Sequence, residues 1–349
     1  MKTAVLYGGA DIRLEERPVP EPGPGEVLVR VRAAGICGSD LRHYRGERPE
    51  ATYPIRAGHE LSGEVVAIGP GVTGLEPGRR VGIEPLHLLG CGACRWCRRG
   101  AYHICPTRGQ RAGRAVQSVG FSEFDLAPVE SLVALPETVS FEAAALLDVY
   151  GVAIHGVHRV PLRPTDTVAV VGTGAVGLTQ GQVARALGAR RVIVIGRRAQ
   201  PLAVARACGA ADEVVDTSTV DVHRAILELT AGAGADIVFE ASGSLQALPL
   251  CCELAAGGGR VGISGLFAAP AAIDTTVAMR KELDLVWINS YSTWDGVREY
   301  ELALDLVARG RVQAAPLVTH RVGLDHIAQG FAWAADKAVS GATKVMVIP

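Results

Sequence analysis

The sequence lacks any hydrophobic run long enough to cross a bilayer, and it lacks an export signal. A membrane-spanning helix needs roughly 20 consecutive apolar residues, whereas the longest apolar runs here are far shorter. The first residues, Met1 to Leu6, lead directly into a strand-like segment, without the apolar stretch and small-residue cleavage site of a signal peptide. From these absences we expect no membrane span and a cytoplasmic protein.

The sequence also lacks an excess of charge, internal repeats, low-complexity tracts and charged tails. Its 35 lysines and arginines nearly balance 36 aspartates and glutamates, so no global field attracts nucleic acid or an anionic membrane surface. We therefore expect a small molecule as the partner. With 349 residues, 48% of them hydrophobic, the chain exceeds what one compact core usually organises, and two domains are expected.

The composition and the hydrophobic pattern of the sequence change along the chain. Residues 1–152 are rich in glycine and proline and carry short alternating segments such as Val27 to Val31, which predict a mostly β domain. Residues 153–291 instead alternate apolar runs with helical stretches, the pattern of a parallel sheet covered on both faces. Residues 292–349 end in a strand at Lys344 to Ile348, and we expect this segment to return to the first domain. The expected fold class is α/β.

A glycine-rich turn marks the second region. A strand ending at Val171 runs into Gly172-Thr173-Gly174-Ala175-Val176-Gly177 and then into a helical pattern. This G-x-G-x-x-G turn is typical of a Rossmann, doubly wound parallel sheet that binds a dinucleotide at the helix N-terminus. A mere glycine-rich turn is the alternative, which the flanking strand and helix disfavour. The residues expected to contact the cofactor here are Gly172, Gly174, Ala175, Val176 and Gly177.

The next strand, Arg191 to Ile195, ends without the expected acid. An NAD site commonly places Asp or Glu there to hydrogen-bond the adenosine ribose, but this chain has Gly196 followed by Arg197 and Arg198. A carboxylate would repel a 2′-phosphate, whereas two guanidinium groups form charge-assisted bonds to it. The sequence thus predicts a preference for NADP(H). The alternative is that both arginines are solvated surface charges.

Four of the eight cysteines stand close together: Cys91, Cys94, Cys97 and Cys105. Four thiolates are the ligand set of a closed tetrahedral zinc site, which would fix a loop and leave no position for a substrate. Three arginines in this loop would offset the negative charge of such a site. An iron–sulfur cluster and extracellular disulfides are the alternatives, disfavoured by the spacing and by the missing signal peptide respectively.

A second candidate metal site is dispersed along the chain. Cys37 lies in Gly35-Ile36-Cys37-Gly38-Ser39-Asp40, and His59 lies in Gly58-His59-Glu60. Alone, such a cysteine and histidine are more often core residues than ligands. Together with the four-cysteine loop, the glycine turn, Leu147-Asp148-Val149 and the final Gly341 to Val345, these motifs resemble the zinc-containing medium-chain dehydrogenase/reductase family, especially its polyol and threonine dehydrogenase branch. The resemblance covers nearly the whole chain.

The resemblance implies a fold and a metal site. The fold is a GroES-like, mostly β catalytic domain joined to a Rossmann domain. Cys37 and His59 would ligate a catalytic zinc, Glu60 would be a direct or water-bridged ligand with a catalytic role, and Asp148 would be a further ligand. The proline that commonly follows this acid is replaced here by Val149. The alternative for Asp148 is a solvated or helix-capping carboxylate.

The resemblance also implies a hydrogen-bonded relay. Asp40 would hydrogen-bond His59 and fix its tautomer, and Ser39 would pass the substrate proton onward. Where relatives often have a histidine five residues after the ligand cysteine, this chain has Arg42, and the histidine is displaced to His43. Arginine does not release a proton near neutral pH. Either His43 or water completes the relay, or Arg42 contacts a polar or anionic substrate, or both are solvated.

Several later residues complete the expectations. The segments Ser264-Gly265-Leu266 and Ile288-Asn289 resemble the family's loops around the nicotinamide, and the resemblance implies that Gly265, Leu266 and Asn289 contact the cofactor. The loops expected to line the substrate pocket are residues 42–56, 109–121 and 289–296. The residues expected in the core, despite their reactive side chains, are His155, His158, Cys251 and Cys252.

The leading hypothesis is an enzyme with two zinc ions per chain that uses NADP(H) to interconvert a secondary alcohol, such as a polyol, sugar, cyclitol or amino alcohol, with its ketone. Zinc would polarise the oxygen and the cofactor would carry the hydride. An NAD-dependent threonine-type amino-alcohol dehydrogenase is one alternative, which Gly196 disfavours. A non-catalytic dinucleotide sensor is another, which the surviving ligand residues disfavour. Relatives imply a homodimer or homotetramer formed through the dinucleotide domain.

Overall fold

The computed structural model describes residues 1–48, 51–85, 90–108 and 119–349, which divide into two compact units. Unit 1 comprises Met1–Asp148, Asp295–Ala308 and Val318–Pro349, and unit 2 comprises Val149–Trp294 and Arg309–Leu317. The first boundary therefore falls after Asp148, four residues before the expected one at 152. Residues 292–294 and 309–317 belong to unit 2, whereas we expected all of 292–349 to return to the first domain.

The described residues form strands and helices throughout. The strands are β1 (Lys2–Gly8), β2 (Asp11–Glu16), β3 (Glu26–Gly35), β4 (Ile55–Arg56), β5 (Glu60–Ile68), β6 (Arg80–Ile83), β7 (Phe124–Pro128), β8 (Leu132–Ala134), β9 (Thr167–Val171), β10 (Arg191–Gly196), β11 (Glu213–Asp216), β12 (Ala235–Glu240), β13 (Ala255–Ile263), β14 (Asp284–Trp287), β15 (Thr293–Trp294), β16 (Val297–Arg298), β17 (Val318–Gly323) and β18 (Lys344–Ile348). The α-helices are α1 (Gly38–Tyr44), α2 (Phe141–Ala145), α3 (Leu147–Arg159), α4 (Ala175–Ala186), α5 (Ala199–Ala207), α6 (Val222–Leu229), α7 (Ala247–Leu254), α8 (Thr275–Arg280), α9 (Glu299–Ala308), α10 (Ile327–Ala335) and α11 (Lys337–Ser340).

Unit 1 is built on a seven-stranded sheet of order β17-β18-β3-β5-β6-β8, with β7 also paired to β3. The long strand β3 buries Val27, Val29 and Val31 in the hydrophobic core, as an alternating strand should. The C-terminal strand β18 runs antiparallel to β3, with Met346 opposite Gly35. Gly35 also lies opposite Glu60 on β5, so the end of the chain comes beside the start of β5.

Unit 2 contains a six-stranded parallel sheet of order β11-β10-β9-β12-β13-β14. All five residues of β9 are buried, because a parallel strand at the centre of the sheet faces apolar neighbours on both sides. The strand order reverses between β9 and β12, which is the switch point where doubly wound sheets bind ligands. The α/β fold class with a Rossmann-type sheet and a GroES-like domain is confirmed. Within the described ranges, no helix is both long and apolar enough to span a membrane.

Candidate active site

Unit 1 brings three of the expected metal ligands together. Cys37 is the N-cap of α1, Glu60 begins β5, and His59 immediately precedes it. The ligand atoms of these three side chains all lie within 4.8 Å of one another. A thiolate, an imidazole and a carboxylate are donor types that zinc accepts, and three protein ligands leave a fourth position open. The donor set therefore fits a catalytic zinc ion.

Asp40 holds two members of this group in place. Its Oδ2 accepts a hydrogen bond from the Cys37 backbone N–H at 2.9 Å, and its Oδ1 lies 3.5 Å from His59 Nδ1. Burial opposes a charge on His59, but the negative charges of Asp40 and Cys37 outweigh burial and raise the pKa of the imidazole well above its ordinary value. The same negative charges would favour a metal cation bound at this cluster.

Glu60 has a partner that the sequence did not reveal. Lys344 Nζ donates hydrogen bonds to Glu60 Oε1 at 2.8 Å and to Oε2 at 2.6 Å, and it also lies 3.3 Å from the carbonyl oxygen of Ile36. The Glu60 side chain packs against the Cα atom of Gly35 on its way to Lys344. A Cβ atom at Gly35 would overlap Glu60 Oε2. Burial alone would lower the pKa of Lys344, but Glu60, Cys37 and Asp148 together raise it.

Asp148, the expected fourth ligand, lies outside the group of three side chains. It is buried, with 7% of its surface exposed, and it stands in the first turn of α3. Its charge acts on Lys344, whose pKa it helps to raise. The structure therefore places Asp148 in the surroundings of the cluster and does not bring it among the mutually close ligand atoms.

Helix α1 carries the expected relay residues. Ser39 and His43 are four residues apart on this helix, so they share one face, and Arg42 is adjacent to that face. All three side chains are half-buried. The backbone carbonyl of His43 accepts a hydrogen bond from the Tyr53 hydroxyl at 2.7 Å, which ties the end of α1 to a later loop.

The four-cysteine loop forms a second cluster in unit 1. The Sγ atoms of Cys91 and Cys97 are 3.9 Å apart, as are those of Cys94 and Cys105. Four sulfur ligands arranged tetrahedrally around zinc, each at a bond length of roughly 2.3 Å, would stand about 3.8 Å apart. The observed spacing fits that arrangement and excludes disulfides, since all eight cysteines are free.

Backbone N–H groups in this loop donate hydrogen bonds to the cysteine sulfurs, which stabilises their thiolate forms. The Cys94 N–H points at Cys91 Sγ at 3.3 Å, and the Cys97 N–H points at Cys94 Sγ at 3.5 Å. Hydrogen bonds from the N–H groups of Ala93 and Cys94 lower the pKa of Cys91 to about 6. Burial instead raises the pKa of Cys97 to about 12, so this thiolate needs a nearby cation.

A buried network anchors the four-cysteine loop to the rest of unit 1. Tyr102, from the loop, donates to Glu84 Oε1 at 2.5 Å, and Arg298 donates to Glu84 Oε2 at 3.0 Å. Burial raises the pKa of Glu84 to about 7, although Tyr102 and Arg298 both oppose that rise. The sequence did not reveal this network, because Glu84 and Arg298 are 214 residues apart.

The glycine turn in unit 2 has the shape of a phosphate site. Gly172 has a φ of +128°, and a Cβ there would lie 2.9 Å from the backbone carbon of Ala241. A Cβ on Gly177 would overlap the Gly172 carbonyl oxygen, whereas no atom lies within 4 Å of the corresponding position on Gly174. Gly174 is the N-cap of α4, and Ala175 begins the helix. The first N–H groups of α4 therefore suit an anion.

The end of β10 explains why Gly196 replaces the acid. A Cβ on Gly196 would lie 2.5 Å from Thr173 Cγ2 in the glycine turn, so a larger residue would displace Thr173. Arg197 is exposed, and Arg198 is half-buried at the N-cap of α5. This strand end offers two guanidinium groups and no carboxylate at the position where an acid would meet the ribose.

The remaining expected residues are more scattered. Gly265 and Leu266 follow β13, with Leu266 61% exposed, and Asn289 is exposed after β14. Residues 49–50 and 109–118 of the expected substrate loops lie outside the described residues. The residues expected in the core and found buried are His155, Cys251 and Cys252. His158, also expected there, is half-buried and stacks on Trp294, with ring centroids 4.7 Å apart.

Comparison with known proteins identifies the family. Residues 23–137 match the alcohol dehydrogenase GroES-like domain, and residues 175–309 match the zinc-binding dehydrogenase family. The chain is 35% identical over 317 residues to a sorbitol dehydrogenase of Halalkalibacterium halodurans, a match that covers 90% of each chain.

Solved structures agree over the whole length. A protein of Sinorhizobium meliloti 1021, provisionally named a zinc-binding dehydrogenase and bound to NADP, matches with a TM-score of 0.89 and 31% identity. A protein of E. coli CFT073, described as a short-chain alcohol dehydrogenase complexed with NADH, matches with a TM-score of 0.88 and 28% identity. Each match covers 100% of this chain and 99% of the other. The chain belongs to the zinc-containing medium-chain dehydrogenase/reductase family of the alcohol dehydrogenase superfamily and is an alcohol oxidoreductase.

Proposed function

We propose that this oxidoreductase is zinc-dependent and uses NADP(H) to interconvert a secondary alcohol, such as a polyol, sugar, cyclitol or amino alcohol, with its ketone. The observation that carries the proposal is the cluster of Cys37, His59 and Glu60, whose ligand atoms lie within 4.8 Å of one another. A bound zinc ion would supply Lewis acidity to the alcohol or carbonyl oxygen, and NADP(H) would supply or accept the hydride.

The protein's own groups hold and orient that site. Cys37 and His59 would be the firmer ligands, because both oxygens of Glu60 already accept hydrogen bonds from Lys344. Asp40 fixes the backbone of Cys37 and lies against the His59 ring, which sets the direction of its free nitrogen. We propose Asp148 as a negative neighbour that joins the ligands only if its side chain moves closer.

Proton movement is proposed to follow α1. Ser39 would take the proton from the alcohol, and His43, one helical turn further on, would receive it and deliver it to solvent. Arg42 does not release a proton near neutral pH, so it cannot pass one on. We propose that Arg42 instead adds positive charge beside the relay, which favours polar or anionic substrates.

The preference for NADP(H) is proposed from the end of β10. Gly196 stands where an acid would otherwise meet the ribose, and Arg197 and Arg198 directly follow it. Both arginines can form charge-assisted bonds to a 2′-phosphate. The similar structures include one bound to NADP and one complexed with NADH. The proposal therefore depends on these arginines and on Gly196.

Assembly and location are also proposals. The strands β11 and β14 are the two edges of the unit 2 sheet, and Trp287 on β14 is 63% exposed. An exposed edge with an apolar side chain suits pairing with a second copy, so we propose a homodimer or homotetramer, which light scattering would test. The thiolate sites require a reducing compartment, for which we propose the cytoplasm.

The proposal is tested by a steady-state screen of polyols, amino alcohols and ketones with NADP(H) and NAD(H), with zinc measured on the same preparation. Turnover with NADP(H) by a zinc-loaded protein would support it. Full turnover after removal of the catalytic metal would overturn it. About one zinc per chain without any turnover would favour a non-catalytic dinucleotide sensor.

A further inference from the structure

Glu240 is a fully buried carboxylate at the end of β12, and it is not among the residues assigned above to the dinucleotide. Its Oε1 accepts three hydrogen bonds: from the Ser242 backbone N–H at 2.8 Å, the Ser242 hydroxyl at 2.7 Å and the Gly243 N–H at 2.9 Å. Its Oε2 is buried with no hydrogen-bond partner in the described part of the chain. One oxygen of this carboxylate thus fixes the loop that follows β12.

The loop fixed by Glu240 touches the phosphate turn and the end of β13. A Cβ on Gly172 would lie 3.0 Å from the Ser242 nitrogen, so the phosphate turn packs directly on this loop. A Cβ on Gly265 would overlap Glu240 Oε2. Glu240 therefore lies where the turn after β9, the loop after β12 and the segment after β13 meet.

Ser264 ties the same place to α4. Its backbone N–H donates to the Glu240 carbonyl oxygen at 2.9 Å, and its hydroxyl accepts a hydrogen bond from Gln180 Nε2 at 2.8 Å. Gln180 is fully buried on α4, the helix that begins at the phosphate turn. The ends of β12 and β13 are thus held to the turn and to its helix by buried polar bonds.

The strand order indicates which half of a dinucleotide binds beside the end of β12. A doubly wound sheet binds the two mononucleotide halves on opposite sides of its switch point. Gly196 and the two arginines that follow it end β10, on the side of the adenosine ribose. Glu240 ends β12, across the switch point from β9, which is the side of the nicotinamide.

We propose that Glu240 is a positioning residue for the nicotinamide half of the cofactor. It holds residues 241–243 and 264–266 in the shape that receives the nicotinamide ribose and ring, and it acts through these backbone segments. The proposal rests on the proposed function, because it takes a nicotinamide dinucleotide as the ligand. It predicts that the loss of Glu240 weakens binding of NADPH and leaves binding of its adenosine half almost unchanged.

The test compares two probes by titration calorimetry: NADPH, and adenosine 2′,5′-bisphosphate, which lacks the nicotinamide half. The variants are Glu240→Ala, Glu240→Gln and a matched control, Asp236→Ala. Asp236 lies at the other end of β12, where it accepts a hydrogen bond from the Thr167 N–H at 2.8 Å. The thermal midpoint of each variant is measured alongside.

Glu240→Ala is expected to raise the Kd for NADPH about tenfold or more, a loss of about 1.4 kcal/mol by the standard conversion. Its Kd for the bisphosphate should stay within about twofold of the wild-type value. Glu240→Gln retains an acceptor for the loop and is expected to recover most of the affinity. Asp236→Ala should lower the thermal midpoint without changing either affinity. If Glu240→Ala does not fold, Ser242→Ala is the fallback at an exposed residue. It removes the bond from the Ser242 hydroxyl to Glu240 and the bond that the Ser244 N–H donates to that hydroxyl, and it should give a smaller loss of the same selectivity.

Unchanged NADPH affinity in folded Glu240→Ala overturns the inference, and so does an equal loss for both probes, because a general defect of the fold would affect both. Failure of the wild-type protein to bind either NADPH or NADH contradicts the proposed function itself. If it binds NADH alone, only the NADP(H) preference fails. The same comparison is then made with NADH and ADP-ribose, and the same outcomes decide it.

Discussion

Lys344 Nζ donates hydrogen bonds to both carboxylate oxygens of Glu60, at 2.8 and 2.6 Å, with both side chains almost fully buried. The two residues are 284 positions apart and meet because β18 and β5 lie on either side of β3. The pair supplies Glu60 with a permanent positive partner. The negative charge of Glu60 is therefore balanced even before a metal ion binds beside it.

Replacing Lys344 with methionine should destabilise the metal-free protein strongly. Glu60 would remain buried without a partner, and breaking a buried pair in this way costs about 3–5 kcal/mol. Zinc should restore part of the lost stability, because it brings a cation beside Glu60. The measurement is the free energy of unfolding in denaturant, with and without zinc.

The matched control for Lys344 is Lys2→Met. Lys2 pairs with Asp325 at 2.7 Å, but these side chains are 41% and 59% exposed. An exposed pair contributes roughly 0–1 kcal/mol, so this variant should unfold almost as the wild type does. Equal losses in the two variants would contradict the role given to the buried pair.

Cys94→Ser should remove one zinc ion per chain and lower the thermal midpoint. The four-sulfur cluster loses one of its ligands, whereas the group of Cys37, His59 and Glu60 is left intact. Because a closed site has no substrate position, the folded fraction should keep its turnover. Metal analysis and a thermal melt provide the measurement.

Cys208→Ala is the control for the metal count. Cys208 is a buried free thiol in unit 2, so its loss should affect packing and leave the zinc content unchanged. A zinc content that stays at the wild-type level in Cys94→Ser would rule out the tetrahedral site in the loop.

Arg197→Ala and Arg198→Ala should each reduce the preference for NADP(H). A hydrogen bond to a charged group contributes about 1.5–3 kcal/mol, so each loss should raise the KM for NADP(H) roughly tenfold to a hundredfold and leave that for NAD(H) nearly unchanged. Arg206→Ala, at the exposed far end of α5, is the control and should change neither. Parallel changes for both cofactors would contradict a contact with the 2′-phosphate.

Because Asp125 is buried, the free energy of unfolding should fall as the pH rises towards neutrality. Burial raises the pKa of Asp125 from 3.8 to about 7, so between these values the folded state binds more protons than the unfolded state does. The free energy of unfolding therefore falls across this window and levels off above about pH 7. Asp125→Asn should flatten the slope, as denaturant unfolding from pH 4 to 8 would show; parallel curves for the variant and the wild type would contradict the assignment.

Local patterns in the sequence predicted the fold well. The apolar runs of unit 2, such as Val168 to Val171 and Ile237 to Glu240, are strands of the parallel sheet, because continuous burial leaves a continuous apolar signal. The glycine turn was equally visible, since Gly172 needs a positive φ and Gly177 a close backbone contact. Both requirements appear in the residue types themselves.

Contacts between distant strands could not be predicted in the same way. The pair Glu60 and Lys344 depends on the order of β5, β3 and β18, and the only local signal was a lysine at the start of an otherwise apolar strand. Glu240 gave no signal either, because a carboxylate at a strand end is common on a protein surface. Asp148 illustrates the opposite case: its motif predicted a ligand, but the structure places it outside the group of close ligand atoms.

We propose that zinc held by Cys37, His59 and Glu60 makes this protein an NADP(H)-dependent alcohol and ketone oxidoreductase. The most direct measurement is steady-state NADPH oxidation with the best carbonyl substrate of the screen, made before chelation, after removal of the catalytic metal and after zinc is added back. Turnover should be lost with the metal and return with zinc in the wild type, whereas Cys37→Ser should show no recovery. Undiminished turnover in the metal-free protein would contradict it.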